Sequence, residues 1–192
     1  ISMAVMDKKV RLRDMFLNLG IVFIANLLGA LFIVILCFAS GLWNTSGGLL
    51  GAYTLNVALT KATLSPIAAL SSGILCNILV CGSILVMTMS TDMTGKIWGI
   101  FFTIMAFVVC GFEHSVANMY YLLAGLFAKL NPEYVELARE TYGLTSTQID
   151  SLNIINCLKS TFFVSIGNMI GGMIFVSAIF FVIFKILEKD KH

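Results

Sequence analysis

Four apolar runs, each long enough to cross a bilayer about 30 Å thick, take up most of this chain: residues 15–42, 66–89, 97–130 and 161–187. Of its ten Asp and Glu residues, only Glu113 falls inside one of them. Polar surface is too scarce to shield such runs from water. Only 11% of the 192 residues are charged and the mean hydropathy is +0.97, whereas soluble domains carry about a quarter charged residues. The bilayer is the solvent that suits this chain. It requires backbone polar groups to be satisfied inside the protein, which here means helices. The expected fold is a single all-α transmembrane domain over residues 1–192.

The placement of cations gives an orientation. If the four runs alternate, Lys8, Lys9, Arg11, Arg13, Lys96, Lys185, Lys189 and Lys191 share one side, and Lys61, Lys129, Arg139 and Lys159 the other. The excess on the first side puts the start and the C-terminus in the cytoplasm. A net charge of +2 is too small to imply a nucleic-acid partner. Cys37, Cys76, Cys81, Cys110 and Cys157 form no C-x-x-C pair and read as apolar packing, with no metal or other cofactor implied. His192 reads as a solvated terminal residue. Residues 131–160 read as small surface helices, with Asn131 and Pro132 starting one, Gly143 stopping it, and Thr145 with Gln148 forming a capping box.

Two spans share a pattern. Ile24-Ala25-Asn26-Leu27-Leu28-Gly29 in the first matches Ile166-Gly167-Asn168-Met169-Ile170-Gly171 in the fourth. Each sets a small residue four before a glycine, which lets helices approach closely, and each places an asparagine in hydrocarbon, where it needs a partner. Ordinary glycine packing is one reading. The other is an inverted repeat of three helices, because spans three apart cross in opposite directions. That reading predicts two further spans ahead of the first run, with residues 1–7 as the tail of the second. The chain is then expected to lack roughly the first two of six spans.

The third run is too long for one simple span and holds Glu113 beside His114. An ionisable pair at membrane depth is costly and points to function. Gly111 precedes the pair, and Ser115 and Asn118 supply polar groups for an interrupted backbone. The expected arrangement is a half-helix over 94–109, a break at 110–114 and a second half-helix over 115–130. The positive end of the second half-helix dipole then faces the break, where an imidazole can donate a hydrogen bond or a proton. In an apolar lining this favours a compact monovalent anion. In another reading the two side chains are a buried structural pair bracing a kink. Both hold if Glu113 is structural and His114 faces the pathway. A redox or enzyme subunit using His114, Glu113 and Cys110 is the alternative from a different class. It lacks a second histidine at ligand spacing and a nucleophile elbow, so no enzymatic activity is expected. A purely structural subunit would not need an ionisable group at the midplane.

Gly111-Phe-Glu-His-Ser-Val-Ala-Asn-Met119 resembles the fifth-helix signature of the formate/nitrite transporter family. Gly73-Ile-Leu-Cys-Asn77-Ile-Leu-Val-Cys81 is similar to its fourth-helix motif, although Gly82-Ser83 departs from that motif's usual ending. By overall similarity the chain stands nearest the family's hydrosulfide branch. The resemblance implies an aquaporin-like six-helix bundle with helices two and five broken, assembled as a homopentamer in a bacterial cytoplasmic membrane. Each subunit would have its own pore for formate, nitrite or hydrosulfide. It also implies that His114 is the central pore histidine, Lys61 the mouth lysine, Asn77 the fourth-helix asparagine, and Phe107 and Val80 constriction residues. Taken alone, Lys61 reads as a solvated loop lysine, Phe107 and Val80 as core packing, and Asn77 as interhelical glue. The family's other broken helix would lie in the missing N-terminal part.

Overall fold

In a computed structural model the described residues are 1–189, with side chains through Ile186. The end of the fourth expected span at Leu187, the tail cations Lys189 and Lys191, and His192 lie outside the described side chains. All regular elements among the described residues are helical. α1 (Ser2–Met6) and α2 (Leu12–Ala39) precede a 3-10 turn (Leu42–Asn44), α3 (Leu49–Ala62) and α4 (Pro66–Met89). There follow α5 (Met93–Val109), α6 (Ser115–Ala128), α7 (Pro132–Tyr142) and α8 (Ser146–Ser151). α9 (Ile154–Ile170) runs through π-helical Gly171–Ala178 into α10 (Ile179–Lys189). α2, α4 and the continuous stretch Ile154–Ile186 are each long and apolar enough to cross a membrane.

Local chemistry explains where the observed ends differ from the apolar runs. α2 starts at Leu12 because Arg11 pairs with Asp14 across its first turn at 2.7 Å, an acid near the positive end of the dipole. It stops before Gly41, whose φ of 70° leaves the helical region. α9 starts at Ile154, well before residue 161, because the Asn153 side chain accepts from the Asn156 N–H at 3.0 Å, as an N-cap does. The surface helices carry the expected caps. Asn131 accepts from Glu133 N–H at 2.9 Å, Gly143 closes α7 with φ 66°, and Thr145 and Gln148 form the reciprocal box.

The chain divides into two compact units. The first comprises 1–21, 69–114 and the residues from 164 on. Within it α4 and α9 meet backbone to backbone. A Cβ on Gly73 would stand 2.7 Å from the Val164 carbonyl oxygen, and one on Gly167 or Gly171 would run into the carbonyl of Leu70 or Ile74. These small residues allow the close approach that lets a membrane bundle associate by dispersion and polar contacts. The Asn77 carboxamide donates to the Asn168 carbonyl. The carbonyl that takes this bond lies just before the stretch Gly171–Ala178, which adopts the π register; π segments of this kind are common at functional sites.

At the end of this unit Ser2 bonds Ser177 through their hydroxyls at 3.0 Å, and Asp7 pairs with Lys9 at 2.6 Å and with Lys185 at 3.1 Å. Lys9 first and Lys185 second hold the Asp7 carboxyl below its ordinary value of 3.8. A depressed carboxylate contributes above its unfolded value, and the contribution fades as pH falls through the lowered one. Asp7→Asn is therefore expected to speed hydrogen exchange in Ser2–Met6 at neutral pH, whereas the native protein loosens there only below about pH 3.8. Identical exchange in the two proteins at neutral pH would show that the pair does not hold α1.

The second unit comprises 22–68 and 115–163. Its core forms around α3, a helix the apolar-run reading passes over. Ala52, Leu55, Ala58, Leu59 and Ala62 recur at helical spacing and are buried. They pack with Leu122, Ala124 and Ala128 of α6 and with Tyr134 and Ala138 of α7. Gly125 leaves no room for a Cβ against Ala58, and Gly51 lies under the Tyr134 ring, 2.6 Å from where its Cβ would be.

Candidate functional site

The long third run is interrupted where its residues predict, and Gly111 is the cause. Its φ is 67°, a left-handed value that glycine adopts freely and a β-carbon resists. The Gly111 N–H bonds the Val108 carbonyl at 3.0 Å and the Phe112 N–H reaches back to the Phe107 carbonyl at 3.1 Å. That bond pair is the Schellman arrangement that ends helices. α5 closes at an exposed Cys110, and α6 restarts at Ser115, directly after His114.

Irregular backbone at membrane depth must find partners inside the protein. Here it does so within the first unit. The Glu113 N–H donates to the Ser72 hydroxyl at 3.0 Å, and the Glu113 carbonyl accepts from Asn168 Nδ2, also at 3.0 Å. The same Asn168 nitrogen donates to the Gly73 carbonyl at 2.9 Å. The repeat asparagine of α9 thus clamps an intact helix and the interruption together. Glu113 and Asn168 are buried, and Asn118, in the first turn of α6, has no exposed surface.

His114 is half-buried at the end of the break. Its ring centroid lies 6.1 Å from that of Phe107, the planes inclined by 40°. Asn77 and Val80 sit on successive turns of α4, both half-buried, with Asn77 tied to Asn168. The residues brought together in the first unit are therefore Gly111, Glu113, His114, Phe107, Asn77 and Asn168. Lys61 belongs to the second unit, and its reading as a loop lysine is corrected: it occupies the last turn of α3, its ammonium 5.2 Å from the Tyr121 ring centroid. A helical base and a cation–π contact explain why it is not simply solvated. Ser72 is the site residue that sequence reasoning missed, because a hydroxyl in an apolar span carries no signal until its partner is known. Asn26, the repeat counterpart of Asn168, lies in the second unit.

A helix broken at a glycine, its loose backbone held by side chains of neighbouring helices, is the kind of element found in broken-helix membrane folds. Residues 1–182 match the formate/nitrite transporter family, and the chain belongs to it. It is 36% identical over 191 residues to the uncharacterized transporter YrhG of Bacillus subtilis, covering 100% of this chain and 63% of that protein. It is 31% identical over 174 residues to the formate channel FocA of Escherichia coli K12, covering 89% of this chain and 59% of that one. A solved pentameric formate channel with formate bound superposes with a TM-score of 0.80 at 26% identity, over 92% of this chain and 69% of that one. The chain spans about three fifths of the length of the curated relatives it matches.

Proposed function

We propose that this chain forms part of a channel for small monovalent weak-acid anions, formate foremost, with nitrite and hydrosulfide as further candidates. Its relatives include a formate channel and a solved pentameric channel with formate bound, which supports formate and a homopentamer; in this reading each subunit has its own pore. The observation that carries the reading is the break itself, with His114 the last residue before α6. There an imidazole and the positive end of a helix dipole share one spot in an apolar setting, which favours one negative charge and penalises cations. In this mechanism the anion is drawn by Lys61, sheds water at an apolar constriction that includes Phe107 and Val80, and meets His114. Proton transfer from the imidazole would convert the anion to its neutral acid and remove most of the cost of desolvation. No covalent step is involved, so the protein is a conductor and not an enzyme.

The reading extends to position. In this reading the cation excess favours a cytoplasmic start and C-terminus, and the family resemblance a bacterial cytoplasmic membrane. If the inverted repeat is the right reading, the whole protein has two further spans ahead of residue 15. Flux into liposomes holding the whole protein tests the function. Formate influx should exceed that of potassium or sulfate and should rise with an inward proton gradient if His114 passes a proton. Influx no faster than in empty liposomes would overturn the proposal.

A further inference from the structure

The end of the first unit holds a charged cleft that neither the break nor the proposed pathway uses. α1 closes at Met6, and Lys8, at φ 58°, turns the chain back so that the Lys9 and Val10 amides bond the Ala4 carbonyl at 2.8 and 3.2 Å. That turn brings Lys9 to one oxygen of Asp7 at 2.6 Å, while Lys185 of α10 reaches the other at 3.1 Å. The Lys185 ammonium also stands 5.9 Å from the Phe181 ring centroid. Here lies a cleft of about 370 Å³, lined by charged Asp7, Lys9 and Lys185 and by apolar Met3, Phe181 and Phe184. Its size falls in the roughly 300–1,000 Å³ range of small-ligand pockets.

The charges there do not cancel. Residues 7–14 together with Lys185 carry five cations and two acids, and the Lys9 side chain is 75% exposed. An ammonium has three donors. Asp7 takes one from Lys9, which leaves that lysine able to meet an oxyanion as well. A basic rim beside phenyl rings fits an amphiphilic anion. Inorganic phosphate has no use for Phe181 and Phe184, the second of them 48% exposed, and a zwitterionic lipid gains little from a net positive rim. In a chain that spans a membrane, a basic pocket beside helix ends suits an anionic headgroup. The geometry points to a seat for one anionic phospholipid, its phosphate bonded to Lys9 beside Lys185 and its upper acyl carbons lying on Met3, Phe181 and Phe184. Asp7 holds the two ammonium groups side by side, and the bound lipid ties α1 to α10. The inference rests on the chain being a membrane protein and not on which anion passes.

The test titrates the whole protein in detergent, read by native mass spectrometry, with phosphatidylglycerol, with phosphatidylcholine of the same acyl chains, and with soluble glycerol phosphate. Phosphatidylglycerol is expected to bind roughly 30-fold more tightly than phosphatidylcholine, about fivefold for each of two lysines beside a lipid headgroup. Lys9→Gln combined with Lys185→Gln should erase that preference. Lys8→Gln removes the same unit of charge from a residue that does not line the cleft, and should leave it within about twofold, because an exposed charge out of contact is screened by salt. Equal binding of phosphatidylcholine would make the cleft a plain apolar groove, and equal binding of glycerol phosphate a site for free phosphate. An equal loss in Lys8→Gln would make the attraction a diffuse field. Each of these outcomes overturns the inference. Phe184→Ser keeps both lysines and should also weaken phosphatidylglycerol, so the seat remains testable if the double variant does not fold. Unchanged binding in Phe184→Ser overturns it too.

Discussion

Replacing His114 with phenylalanine is expected to lower formate flux by about one to two orders of magnitude and to flatten its dependence on pH. Phenylalanine keeps a flat ring beside Phe107, where the imidazole centroid now stands at 6.1 Å, so the apolar lining is preserved. What disappears is the donor. A hydrogen bond to a charged group contributes about 1.5–3 kcal/mol, and a barrier raised by that amount slows passage roughly 10- to 150-fold. The same substitution removes the imidazole, a side chain able to hand over a proton. Stopped-flow measurement in liposomes across pH 5 to 8 reads both effects together. A variant that conducts at the native rate with the native pH profile would remove His114 from the pathway.

The larger structural effect is expected at Gly167. A Cβ there would overlap the carbonyl oxygen of Leu70 and come within 3.1 Å of Gly73 Cα and of the Ile74 amide nitrogen. All three neighbours are backbone and cannot rotate away, so Gly167→Leu must push α9 off α4. That separation also withdraws Asn168 from Gly73 and Glu113, taking one side-chain donor from the break. Overpacking alone costs about 3 kcal/mol at the upper end of its usual range, and a buried carbonyl without its donor adds about 1–3 kcal/mol. Thermal unfolding in detergent should show a large fall in Tm or no folded protein. Gly20→Ala is the matched control, since a Cβ at Gly20 meets nothing within 4 Å and alanine is the better helix former by about 1 kcal/mol. Equal stability of the two variants would refute the close α4–α9 contact.

Legibility in the sequence tracked how local the physics was. The break was readable because one glycine with a polar successor pair suffices to end a helix, and both half-helices lie where those residues place them. The caps of α7 and α8 were readable for the same reason, each needing only side chains within three residues. α3 was not, since it is too short and too mixed to register as a span. Its Ala-Leu face acquires meaning only once α6 and α7 lie against it. The early start of α9 was hidden because the Asn153 cap precedes residues that resemble a surface loop.

By itself, then, the order of residues determined a helical membrane protein, the point where one helix breaks, and the imidazole that stands there, because hydrophobic length, glycine geometry and capping act over one or two turns. Tertiary structure alone decided that Ser72 and Asn168 hold Glu113, that Asn77 takes the Asn168 carbonyl, and that Lys61 lies by Tyr121. Those partners stand from 41 to 91 residues apart along the chain, and at such separations only the packing of the helices brings a donor to its acceptor or a cation to its ring.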